Sequence, residues 1–129
     1  MAAGIPVAAA SDNVHDPFHP FGRGDLLQIG LITAYGAHMG SPADLRTLLR
    51  MMTVVPAGIL GLRDYGIAAG HTADFVILDA GTPDELFTMM PDRRWIYRGG
   101  AWLKTAAPPA GWELPELAAE WARYGSHGL

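Results

Sequence analysis

The stretch Ile5-Pro6-Val7-Ala8-Ala9-Ala10-Ser11 constrains this chain more than any other. It is short, apolar, and bounded by Gly4 on one side and polar residues on the other. Its apolar positions do not alternate with polar ones. A strand of that kind is buried on both faces, as in a parallel sheet covered by helices. The chain is therefore expected to be α/β rather than an all-helical or open antiparallel fold.

A loop rich in Pro and Gly follows, with Pro17, Pro20, Gly22 and Gly24. The sequence then predicts a helix over Asp25–Met39, apolar over much of its surface, in which Gly30 and Gly36 weaken the helix but permit close packing. Ser41-Pro42-Ala43-Asp44 carries a stronger signal: an N-cap serine, a proline at the first helical position and an acid at the third. Leu45, Leu48, Leu49 and Met52 then recur on one helical face. A short helix around Pro56–Leu60 is expected to stop at Gly61.

From Arg63 the texture changes. Gly66 and Gly70 mark turns before a strand expected over Ala73–Leu78. Thr82-Pro83-Asp84-Glu85 repeats the capping pattern for a short helix to about Met89. In "RRWIYRGGAWLKT", Gly99-Gly100 between Trp95, Tyr97, Trp102 and Leu103 is a hairpin signal, because glycine takes the positive φ of a tight turn at no cost. Pro108-Pro109 marks a break, and Leu114, Leu117, Ala118 and Trp121 suggest a short terminal helix. The expected organisation is thus 1–62, 63–107 and a tail over 108–129.

Composition closes several routes. Half of the 129 residues are hydrophobic and 17% are charged, too apolar for a disordered chain. The net charge is -4 with no basic block, so neither nucleic acid nor a membrane surface is an expected partner. Without cysteine there is no disulfide and no thiolate metal site. The apolar start lacks a basic region and is interrupted by Pro6, which argues against a secretory signal, so a cytoplasmic protein is expected.

"SDNVHDPFHPFGRGD", Ser11 to Asp25, concentrates the reactive side chains. Asp12 stands where a buried strand gives way to a loop, the edge at which ligands and metals collect in barrels and open parallel sheets. Ser11, Asp12 and Asn13 are equally the residue types that build turns and caps, so spacing leaves both readings open. His15 and His19 are four apart, but Pro17 and Pro20 make a shared helical face unfavourable there. His38 and His71 read as helix-end or turn residues, and His127 lies in the tail. A catalytic metal needs about three or four protein ligands. No His-x-His pair, phosphate-type glycine loop or nucleophile elbow is present, so the residues supply one corner of a site.

That loop, together with "LRDYGIAAGHTADFVILDA" and "RRWIYRGGAWL", resembles the C-terminal portion of a cytosine deaminase-like enzyme of the amidohydrolase superfamily, over roughly Ile5–Lys104. The resemblance implies the last strand and helices of a (β/α)8 barrel followed by part of a small β-sandwich, or an α+β fold if the chain is taken by itself. It further implies that Asp12 is the last ligand of a divalent metal, Zn²⁺ or Fe²⁺, and handles the proton of the metal-bound water. A known member of the family carries a second Asp where this chain has Asn13 and a Trp in the pocket where it has Phe18. By resemblance both line the substrate pocket, Asn13 by hydrogen bonding and Phe18 by packing on a flat ring. Those differences extend the implied substrates from cytosine to other aminated or amide-containing nitrogen heterocycles.

In the family the remaining ligands lie upstream of the last strand. This chain starts at about that strand, so it resembles a C-terminal fragment, split-gene product or free-standing remnant, inactive by itself. The rival expectation is a non-catalytic interaction piece whose apolar strand requires self-association or a partner chain. A small α+β ligand-binding domain unrelated to deaminases is a third.

Overall fold

The computed structural model of the chain describes residues 4–18 and 20–106, together with Pro115, Glu116 and Ala119. Leu114, Leu117, Ala118 and Trp121, on which a terminal helix was expected, lie outside the described residues, as do His19 and His127.

Three helices follow the N-terminal segment: α1 (Leu26–Gly36), α2 (Pro42–Met52) and α3 (Val54–Ile59). α1 begins one residue later than the sequence suggests because Asp25 is its N-cap, accepting the Leu27 N–H at 2.8 Å. It ends three residues earlier, at Gly36, in a Schellman turn. His38 takes φ 54°, and the Met39 N–H reaches the Ala34 carbonyl at 2.9 Å. That turn delivers Met39 onto the core. In α2 the capping box forms: Ser41 Oγ accepts from the Asp44 N–H, and the Asp44 carboxylate accepts from the Ser41 N–H at 3.0 Å. α3 is closed by Gly61 at φ 73°, with the Leu62 N–H on the Ala57 carbonyl.

The second part contributes β1 (Phe75–Leu78), α4 (Pro83–Met89), β2 (Arg93–Arg98) and β3 (Ala101–Thr105). The strands form one antiparallel sheet in the order β1-β2-β3. Gly99 and Gly100 turn the β2–β3 hairpin at φ 58° and 82°, and Thr82 caps α4 by accepting from Glu85. On one face of the sheet Phe75 stacks on Tyr97 at 5.3 Å, and Trp102 meets Tyr97 edge-on at 5.1 Å.

Leu27, Leu48, Met51, Met52, Leu86 and Phe87 form a core where α1, α2 and α4 meet. α1 approaches closely at Gly30. A Cβ there would stand 2.6 Å from the Phe87 ring and 2.7 Å from the Met52 sulfur, whereas Gly36 faces open space. The expectation of close packing therefore holds at one glycine and not the other.

The N-terminal segment departs from expectation. Ile5–Ser11 forms no strand, and instead of being buried it leaves Ile5 65% and Val7 43% exposed. Its tie to the body is the Ala9 N–H on the Met51 carbonyl at 2.9 Å, with Ala9 packed on the core. The physical reason is that a strand, unlike a helix, satisfies its backbone only through neighbours. The described residues supply none beside it.

Candidate functional site: the Asp12 loop

The loop follows the Ile5–Ser11 segment with two residues in the left-handed region. Asp12 takes φ 52° and His15 φ 56°, a left-handed conformation that short polar side chains tolerate better than most. Asp12 is thereby presented to solvent at the end of the apolar segment, flanked by the half-buried Ser11 and Asn13.

Asn13 and Phe18, the two pocket residues of the sequence reading, are gathered by a third residue. The Asp16 carboxylate accepts from the Asn13 amide at 3.4 Å and from the Phe18 N–H at 2.9 Å. The latter closes an Asx turn across Pro17, a turn that Asp-Pro favours. Sequence reasoning assigned Asp16 no role, although the Asp-Pro-Phe order carried the signal. The Phe18 ring is 89% exposed, so the loop orients its backbone while the ring packs on nothing within the described residues.

Asp25 closes the loop. Its carboxylate caps α1 and takes a two-pronged contact from the Arg93 guanidinium, with Nη1 on Oδ2 at 2.8 Å and Nη2 on Oδ1. The Arg93 hydrogen bonds hold the Asp25 carboxyl below the usual carboxylate range, against the opposing effect of desolvation and with help from the Leu27 N–H. No local pattern in the sequence signals that these residues, far apart in the chain, would meet.

The second quoted block folds as a clasp. Thr72 donates its hydroxyl to Asp64, which lowers the Asp64 pKa, and the His71 ring lies against the Gly66 carbonyl at 3.3 Å. Asp74 accepts the Gly99 N–H at 2.9 Å, tying the start of β1 to the hairpin turn. His71 is thus a turn residue, and His38 is a helix-end residue.

The donor set does not amount to a metal site. Among the described residues no group of three or more His, Asp, Glu or Cys side chains comes together around Asp12 or elsewhere. Asp12 offers one carboxylate, the right chemistry for a single ligand of a hard or borderline divalent ion and too little to hold one. No helix among the described residues is long and apolar enough to cross a membrane.

Comparison with known proteins places this loop in context. Residues 1–99 match the profile described as "Amidohydrolase family". The chain is 36% identical over 108 residues to a pterin deaminase of Rhizobium rhizogenes, covering 83% of this chain and 24% of the relative. It is 34% identical over 101 residues to an N-isopropylammelide isopropyl amidohydrolase of a Pseudomonas species, covering 78% and 25%. The chain thus spans about a quarter of the length of these curated relatives. Among solved structures, a 5-methylcytosine deaminase from Klebsiella pneumoniae bound to 5-fluorocytosine superposes with a TM-score of 0.78 at 31% identity, over 89% of this chain and 28% of that one. An N-isopropylammelide isopropylaminohydrolase from Burkholderia multivorans gives 0.76 at 30% identity, over 81% and 27%.

Proposed function

The chain belongs to the amidohydrolase family, and from that premise we propose that it forms the closing part of a metal-dependent hydrolase acting on a non-peptide C–N bond of a nitrogen heterocycle. In this reading residues 1–62 are the last strand and helices of a (β/α)8 barrel, and residues 63–107 belong to its β-sandwich. The observation that carries it is the Asp12 loop. An exposed carboxylate stands at the end of an apolar segment, and the amide of Asn13 and the backbone of Phe18 are held just beyond it by Asp16.

A divalent ion bound in such a site would make water acidic enough to act as a nucleophile near neutral pH. This chain's contribution is narrower. The Asp12 carboxylate would provide one ligand to such an ion and could accept a proton at its carboxylate oxygens. The Asn13 side chain offers an amide to the heterocycle's polar edge, and the Phe18 ring a flat apolar surface. The relatives act on pterin, N-isopropylammelide and 5-methylcytosine by name. An aminated or amide-bearing heterocycle of that size is the substrate class we assign. The isolated 129-residue chain is expected to lack turnover, because one carboxylate cannot hold a catalytic ion.

The test is ammonia release from cytosine, 5-methylcytosine and pterin with Zn²⁺ or Fe²⁺. It compares this chain with one extended upstream along the reading frame. Activity confined to the extended chain and abolished by Asp12→Asn is expected. Activity in the isolated chain would contradict its incompleteness, and an active extended Asp12→Asn chain would remove Asp12 from the chemistry.

A second reading has its own observation. Ile5 and Val7 are exposed on a segment whose backbone has no ladder partner. Such an edge recruits a partner chain or a second copy. A concentration-dependent shift to larger species on size exclusion, reduced by Ile5→Ser, supports this interaction role. A monomer at all concentrations sinks it.

A further inference from the structure

The contact between Asp25 and Arg93 lies outside every role assigned so far. Asp25 ends the loop that begins at Asp12, and Arg93 opens β2, in the register opposite Leu78 where the β1–β2 pairing is irregular. Leu78 in turn packs against the helical core. Both side chains are largely enclosed, with 16% of Asp25 and 32% of Arg93 exposed. The guanidinium meets the carboxylate with two nitrogens, a planar fork that fixes orientation as well as distance. The same carboxylate caps α1 through the Leu27 N–H, so cap and fork share one group.

We propose that Asp25 and Arg93 are positioning residues: the fork ties the downstream end of the Asp12 loop to β2, so that the sheet sets where Asp12, Asn13 and Phe18 stand. The link transmits position because each side is braced. Asp25 is held by the helix it caps and Arg93 by the ladder of β2. At the other end of the loop, Ala9 is held by the Met51 carbonyl, and the Asp16 turn stiffens the middle. Releasing the fork leaves one end of the loop attached only through the cap. The significance for catalysis rests on the reading of Asp12 as a metal ligand; the mechanical link does not.

Two substitutions separate the fork from the cap. Asp25→Ser keeps an N-cap acceptor and removes the fork, while Arg93→Gln removes the fork and leaves the Asp25 cap intact. Amide hydrogen exchange on the full 129-residue chain is the readout. Both variants are expected to accelerate exchange at Phe18, whose N–H is held by the Asp16 carboxylate, by roughly tenfold, with the amides of α2 and β3 unchanged. Unchanged exchange in the loop, or equal acceleration in α2 and β3, would reduce the pair to ordinary stabilisation and overturn the proposal. Should Arg93→Gln fail to fold, Arg93→Lys carries the same test, since it keeps the charge and loses the fork. The measurement contains neither metal nor heterocycle, so its failure would sink the link and leave the deaminase reading standing.

Discussion

Helix α2 and the segment Ile5–Ser11 are both built to be covered, yet Leu48 on the helix is fully enclosed while Ile5 keeps 65% of its surface in solvent. They touch each other, through the Ala9 N–H and the Met51 carbonyl. The difference lies in what each needs. A helix closes its own backbone hydrogen bonds and asks only for something to lay its apolar stripe against, and α1 and α4 provide that for α2. A strand buried on both faces needs a hydrogen-bonding neighbour at each edge and a layer on each face. Among the described residues α2 is therefore complete, while Ile5–Ser11 has no strand beside it and leads directly into Asp12.

The contrast breaks most visibly if core and segment respond alike to truncation. Leu48→Ala is expected to cost about 2–5 kcal/mol, since it empties a site with no solvent access. Val7→Ala is expected to cost less than about 0.5 kcal/mol. Thermal or urea unfolding of the two variants makes the comparison, and a loss at Val7 approaching that at Leu48 would show the segment buried in solution.

Acid unfolding sharpens the boundary between the loop and the body. The folded Asp25 carboxyl sits below its unfolded value, so its contribution is complete above roughly pH 4 and is lost as the pH falls through the lowered folded value. Asp44 and Asp64 are lowered too, by Ser41 and by Thr72, and their contributions appear with or without Arg93. The difference in urea midpoint between the native chain and Arg93→Gln should thus be constant from pH 7 to about pH 5 and shrink below pH 4. A difference that ignores pH would remove Asp25 from the pair.

A smaller effect is expected at Gly30. Adding a methyl there presses on the Phe87 ring and the Met52 sulfur, against a gain in helix propensity of up to about 1 kcal/mol, for a net loss near 1 kcal/mol. Gly36→Ala meets no neighbour and should be neutral or stabilising. The smallest effect belongs to Ile5→Ser, which should leave the unfolding midpoint unmoved.

How far the fold was legible follows the same division. The Ser41-Pro42-Ala43-Asp44 box, the Thr82 cap, the Gly99-Gly100 hairpin and the Leu48 face were readable because each signal sits within a few residues of the structure it makes. The end of α1 was misread because His38, not a glycine, takes the left-handed turn. Asp25–Arg93 was invisible because no local pattern announces a pairing between residues so far apart. At the site, the place of Asp12 after the apolar stretch singled it out, with a turn or cap as the open alternative, and the resemblance alone implied its role as a metal ligand. Asp16 was passed over although its place before Pro17 was a turn signal in plain view.

The most direct test of the central claim, that this chain carries one corner of a metal site, is calorimetric titration of Zn²⁺ into the purified chain and its Asp12→Asn variant. No stoichiometric binding in the micromolar range and no difference between the two are expected. A one-to-one site in the native chain that disappears in Asp12→Asn would contradict that claim, because the ligand set would then be complete within these 129 residues.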